Sequence, residues 1–219
     1  MPLIKARAVD REILALAVPA LGALVAEPIF LLVDSALVGH LGRVPLAGLG
    51  LASAVLQTVV GLMVFLAYGT TPAVARRLGA GDRPGAISLG VDGTWLATAL
   101  GLILGAAGFL TAPLLVGLFG AAGDVTEQAS AYLRVAMIGL PAMLIVYAAT
   151  GLLRGLQDTR TPLMVAVAGF IANAGLNALF IYGLRLGIVG SAIGTDVAQW
   201  GMVAAYVVVI WRRDRKSVV

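Results

Sequence analysis

The sequence predicts an all-α integral membrane protein, a bundle of six transmembrane helices, and three observations carry that prediction. Of 219 residues, 60% are hydrophobic and only 12% are charged. The mean hydropathy is +1.01. The apolar residues fall into six long runs separated by short connectors rich in Gly, Pro and charge. No soluble core needs so much apolar surface, whereas a helix of about 20 apolar residues crosses the hydrocarbon of a bilayer.

The runs cover residues 13–39, 51–70, 95–119, 131–152, 163–183 and 188–211. The first is too long for the apolar region of a signal peptide and lacks a small-residue cleavage pattern, so it reads as a retained span. Between the runs stand HLGRVP, ARRLGAGDRPG, GAAGDVTEQ, RGLQDTRTP and GLRLG. None resembles an interdomain linker, and residues 1–219 read as one domain. Lys5, Arg7, Arg11, Arg76, Arg77, Arg83, Arg154, Arg160, Arg212, Arg213, Arg215 and Lys216 lie on one side of the alternation, against Arg43, Arg134 and Arg185 on the other. This bias predicts a multi-pass protein of the inner (plasma) membrane with both termini cytoplasmic. Trp95, Tyr132, Tyr182 and Trp211 stand near span ends, as interfacial aromatics do. Pro19 and Pro28 in the first run, Pro113 in the third and Pro141 in the fourth remove backbone donors and invite kinks. The pairs Gly101/Gly105, Gly151/Gly155 and Gly190/Gly194 suit close helix contacts in lipid.

Composition also excludes chemistry. With no Cys and a single histidine, His40, thiol nucleophiles, disulfides and Cys/His zinc clusters are ruled out. No Ser/His/Asp or His/Glu constellation exists for hydrolysis. The glycines of GLGLASAV and GAGDRPG lack the strand that precedes a nucleotide-binding loop. The expectation is a protein that is not an enzyme, takes no cofactor and binds no nucleic acid. The basic clusters are read as topology signals rather than as lipid sites.

The informative residues are polar ones at membrane depth. Asp34, in LLVDSALVGH, places an acid where an ionised side chain costs about 2.5–3.5 kcal/mol. Glu27, seven residues earlier, shares its helical stripe. With the first and fifth spans running outward and the sixth inward, Asp34, Asn177, Thr195, Asp196 and Gln57 fall in one layer about 8–10 Å below the outer surface. Asn173 stands one turn deeper on the face of Asn177. Removal from water favours the neutral form of a carboxyl group, and a nearby cation opposes that. Asp34 is therefore read as an ion-coupling residue, taking either a proton or Na⁺; in the sodium case Asp34, Asn173 and Asn177 are the metal ligands, because hard cations prefer oxygen. Asn173, Asn177 and Thr195 complete its network, and Glu27, Gln57 and Asp196 are candidates to line a cavity. Acids inside the membrane favour cationic substrates. A lipid or lipid-linked-precursor flippase, which usually carries cationic residues to meet phosphate, and a non-transporting membrane module are the alternatives.

These residues carry a family resemblance. VPALGALVAEPIFLLVDSALVGHLGRVPLAGLGLAS, ARRLGAGDRPGA, LLRGLQDTRTP, and NAGLN followed by GIVGSAIGT resemble the first lobe of the multidrug and toxic compound extrusion (MATE) family, above all the branch of the DNA-damage-inducible bacterial members and their plant relatives. The resemblance implies a cation-coupled antiporter, driven by H⁺ or Na⁺, that exports organic, often cationic or amphipathic, compounds. It implies that Asp34 is the coupling carboxylate, that Asn173, Asn177 and Thr195 are its partners and that Pro19 is the bend in the first helix. Some relatives carry a second acid where this chain has Asn177, and Asp196 is not part of the family pattern. Family members have two six-helix lobes, so membrane lipid, a small organic substrate and a second lobe are the expected partners. The chain reads as the N-terminal half, with truncation of a longer protein favoured over a split transporter or a self-paired half.

Overall fold

A computed structural model describes the backbone of residues 2–121 and 123–217. Side chains are described apart from those of residues 1–13, 15, 16, 23, 27, 67, 122 and 213–219. The described chain is helical throughout: α1 (Pro2–Gly39), α2 (Arg43–Met63), α3 (Phe65–Gly79), α4 (Arg83–Gly117), α5 (Gly123–Gly155), α6 (Arg160–Ala178), a π-helical turn (Leu179–Gly183) and α7 (Gly187–Ser217). Six stretches are long and apolar enough to cross a membrane: Ala17–Gly39, Arg43–Gly79, Arg83–Gly117, Gly123–Gly155, Arg160–Gly183 and Gly187–Arg212. The six expected spans are present. The second is broken at Val64 into α2 and α3, and α4 starts at Arg83, well before the apolar run at 95, because helix propagation does not stop where hydropathy falls.

The connectors set the helix ends chemically. In GAGDRPG the Asp82 side chain accepts from the Gly85 amide at 2.9 Å and pairs with Arg77 at 3.2 Å, while Gly81 takes φ +80. In LQDTRTP Asp158 accepts from the Thr161 amide at 2.9 Å and from the Thr161 hydroxyl at 2.6 Å, capping α6.

The most buried helix is α5, flanked by α4, α2, α3 and α7. The α4–α5 seam is closed by glycine: a methyl group at Gly101 would strike the backbone of Pro141, and one at Gly105 would lie 2.6 Å from the Met137 carbonyl oxygen. The other glycine pairs also mark contacts, Gly155 on Val74 of α3 and Gly190 on Phe180. Helix α1 runs unbroken through Pro19 and Pro28 and lies against α6, with Phe30 stacked on Phe170 at 4.8 Å. Trp95, Tyr182 and Trp211 are exposed. Tyr132 is not: only 5% of it is accessible, because α5 begins at Gly123 and carries Tyr132 inside the bundle rather than to its rim.

Candidate functional site

The site is assembled from both ends of the sequence. The C-terminal third of α1 carries Asp34, the end of α6 carries Asn173 and Asn177 one turn apart, and α7 brings Ser191 and Thr195, also one turn apart, against them. Asp34 is 6% accessible, Asn173 3%, and Asn177 and Ser191 are fully enclosed. The Asn177 Nδ2 donates to Asp34 Oδ1 at 2.7 Å and to Asn173 Oδ1 at 3.1 Å. The Ser191 hydroxyl donates to the same Asp34 Oδ1 at 2.7 Å. Asn173 Nδ2 in turn donates to Thr195 Oγ1 at 2.9 Å.

Local structure holds these groups in place. Gly194 lets α7 approach so closely that a methyl there would collide with the Asn177 side-chain oxygen. The π-helical turn directly after α6 carries Tyr182, whose hydroxyl donates to the Leu37 carbonyl and pins α1 one turn from Asp34. From α5, Tyr132 turns toward Ser191 and lies within electrostatic range of both Asp34 and Asp196.

Two donors converge on Asp34 Oδ1, whereas Oδ2 accepts no hydrogen bond from the described residues. Asn177 Oδ1 is buried without a hydrogen-bond partner among them. The cluster therefore offers oxygen ligands in a nearly enclosed chamber, with one carboxylate oxygen placed to meet a small cation or a proton. Among the described residues no group of three or more His, Cys, Asp or Glu side chains gathers, here or elsewhere.

The predicted residues do not all meet. Asp34, Asn173, Asn177 and Thr195 come together, but Thr195 bonds Asn173 a turn below Asp34, and Ser191 stands at the level of the acid. The reason is that α7 starts at Gly187, so its first full turn ends at Ser191. Gln57 is exposed and outside the cluster. Ala52 and Val55 turn the core face of α2 inward, and five residues past Ala52 is about 140° around the helix. Asp196 points away from the asparagines, its carboxyl against Gly139 of α5, rather than toward Gln57. The side chain of Glu27 lies outside the described ones. Arg134 follows Tyr132 by two residues and is exposed on α5. Sequence reasoning missed Ser191 and the inward turn of Tyr132; Ser191 carried a signal, since it precedes Thr195 by one turn in GIVGSAIGT.

The MatE family profile matches residues 19–179, the stretch that contains Asp34, Asn173 and Asn177. The chain belongs to the MatE family. Among MatE relatives, a probable multidrug resistance protein NorM of Thermotoga maritima is 29% identical over 94% of this chain and 45% of its own. The chloroplastic protein DETOXIFICATION 44 of Arabidopsis thaliana is 34% identical over 88% of this chain and 39% of its own. The DNA damage-inducible protein F of Escherichia coli is 28% identical over 87% and 42%. A MOP superfamily transporter from Pyrococcus furiosus superposes with TM-score 0.83 at 30% identity, over 89% of this chain and 43% of that one. A MATE protein in its bent and its straight conformation superposes equally well, with TM-score 0.83 for each. The chain thus spans less than half the length of the relatives it matches, and its six-helix bundle corresponds to one lobe of a MatE protein.

Proposed function

We propose that this chain is a lobe of a cation-coupled antiporter that exports organic, cationic or amphipathic compounds, with Asp34 as the ion-coupling residue. The observation that carries the reading is the convergence of Asn177 and Ser191 on one oxygen of a nearly buried Asp34, which leaves the other oxygen open. An acid held this way changes its energy sharply when a cation arrives or leaves. The event is felt at once by three helices, α1, α6 and α7. Either a proton on Asp34, or Na⁺ held by Asp34, Asn173 and Asn177, uses this geometry, and Thr195 steadies Asn173 in both cases. Pro19 supplies a point at which α1 can bend when Asp34 changes partners.

The Lys and Arg bias supports cytoplasmic termini in a plasma membrane. Alternating access needs two bodies rocking about a site, so residues 1–219 act as the N-terminal lobe beside a second six-helix lobe, on a continuation of the chain or on another chain.

The test is efflux from proteoliposomes of the chain, alone and with a second lobe, under an imposed proton gradient and separately under a sodium gradient. Asp34→Asn is expected to abolish gradient-driven efflux while insertion and thermal stability persist. Full efflux by that variant overturns the assignment, and the gradient that drives the native protein names the ion.

A further inference from the structure

Asp196 is an acid within a span that the coupling network does not use. It stands nine residues into α7, about 13 Å from the helix start, and is partly accessible. Its carboxyl rests against α5 at Gly139, where a methyl group would collide with it, so the α5–α7 seam is recessed to admit an acid. Among the described residues it has no ion pair: the one salt bridge is Arg77–Asp82. Its hydrogen-bond partner is the Gly139 backbone, and no side chain among them donates to it, in contrast to Asp34.

Its surroundings open outward. Five residues past Ser191, Asp196 lies about 140° around α7 from the face that meets the asparagines. Val197 and Trp200 on α7 are each 47% accessible, and Ile138, next to Gly139, is 59% accessible. Trp200 follows Asp196 by four residues and shares its side of the helix. An acid with an aromatic one turn away and an apolar rim is the chemistry that recognises an organic cation: charge complementarity from the carboxylate, ring-face attraction from the indole and burial for hydrophobic substituents.

We propose that Asp196 and Trp200 form a second cation site on the outward side of the α5–α7 seam, taking a lipophilic organic cation that arrives from within the bilayer. It rests on the export reading only for its purpose, as a lateral collection point for substrate. The binding itself is independent of Asp34.

The experiment is equilibrium binding of tetraphenylphosphonium to the chain in zwitterionic-lipid nanodiscs, with its uncharged isostere tetraphenylsilane as control. Asp196→Asn is expected to weaken tetraphenylphosphonium binding by about tenfold or more and to leave tetraphenylsilane unchanged. Trp200→Leu, at an exposed position, is expected to weaken cation binding by about two- to fivefold. Asp34→Asn leaves this binding within about twofold even if it abolishes efflux, so failure of the coupling assignment and failure of this site are separately visible. Equal cation binding by native, Asp196→Asn and Trp200→Leu proteins overturns the proposal, as does an equal loss for cation and isostere.

Discussion

The coupling between Asp34 and Asn177 can be weighed by a double-mutant cycle, Asp34→Ala, Asn177→Ala and the pair. The bond is short, at 2.7 Å, and its partners are 6% and 0% accessible, so solvent neither screens it nor replaces it when it breaks. Hydrogen bonds to charged groups contribute about 1.5–3 kcal/mol in soluble proteins, whereas cycles between membrane helices average about 0.6 kcal/mol and reach about 1.7. The acceptor here is a carboxyl group and the chamber is closed, so the upper part of the membrane range applies, about 1–1.7 kcal/mol. Each single variant should cost more than the coupling. Asn177→Ala also strands Asn173 Oδ1, which receives Nδ2 at 3.1 Å, and Asp34→Ala strands the Ser191 hydroxyl. Reversible unfolding in bicelles, read by steric trapping, gives the four free energies. A coupling within about 0.3–0.5 kcal/mol of zero is the signature of independent sites and would refute the claim that the network is one energetic unit.

Two further outcomes follow from packing and capping. Gly101→Val drives a side chain into the Pro141 backbone and should lower stability by about 1–3 kcal/mol, seen as an earlier thermal transition in detergent; an unchanged transition would show that the α4–α5 seam is looser than described. Asp158→Ala removes the side chain that caps α6 and should cost about 1 kcal/mol, with faster amide exchange confined to the first turn of α6 as its local mark.

The fold was legible because hydrophobicity in a bilayer is a length measurement: six runs near 20 residues permit little else. What the pattern could not show was the break at Val64 or the early start of α4, since both depend on local backbone geometry and not on average apolarity. At the site, Asp34, Asn173 and Asn177 stood out because polar residues are costly in lipid and their helical spacing is arithmetic. The layer they were assigned to was less accurate. Counting residues from span ends put Thr195 level with Asp34, whereas the first turn of α7 ends at Ser191, and a serine in an apolar run attracts no notice. Gln57 shows the complementary limit, for depth can be counted but rotation about the helix is fixed by the neighbour, here α5 against Ala52 and Val55. Tyr132 was placed by its distance from a run's edge, which says nothing of where the helix itself begins.

The hydrogen bonds that enclose Asp34 join residues 143 and 157 positions apart in the chain. A ribosome adding about 5–20 residues per second releases the acid roughly 10–30 s before the serine that completes its shell. Until α6 and α7 follow, the growing polypeptide holds that carboxyl without the donors that enclose it here, so α7 completes a shell that shorter nascent chains leave open.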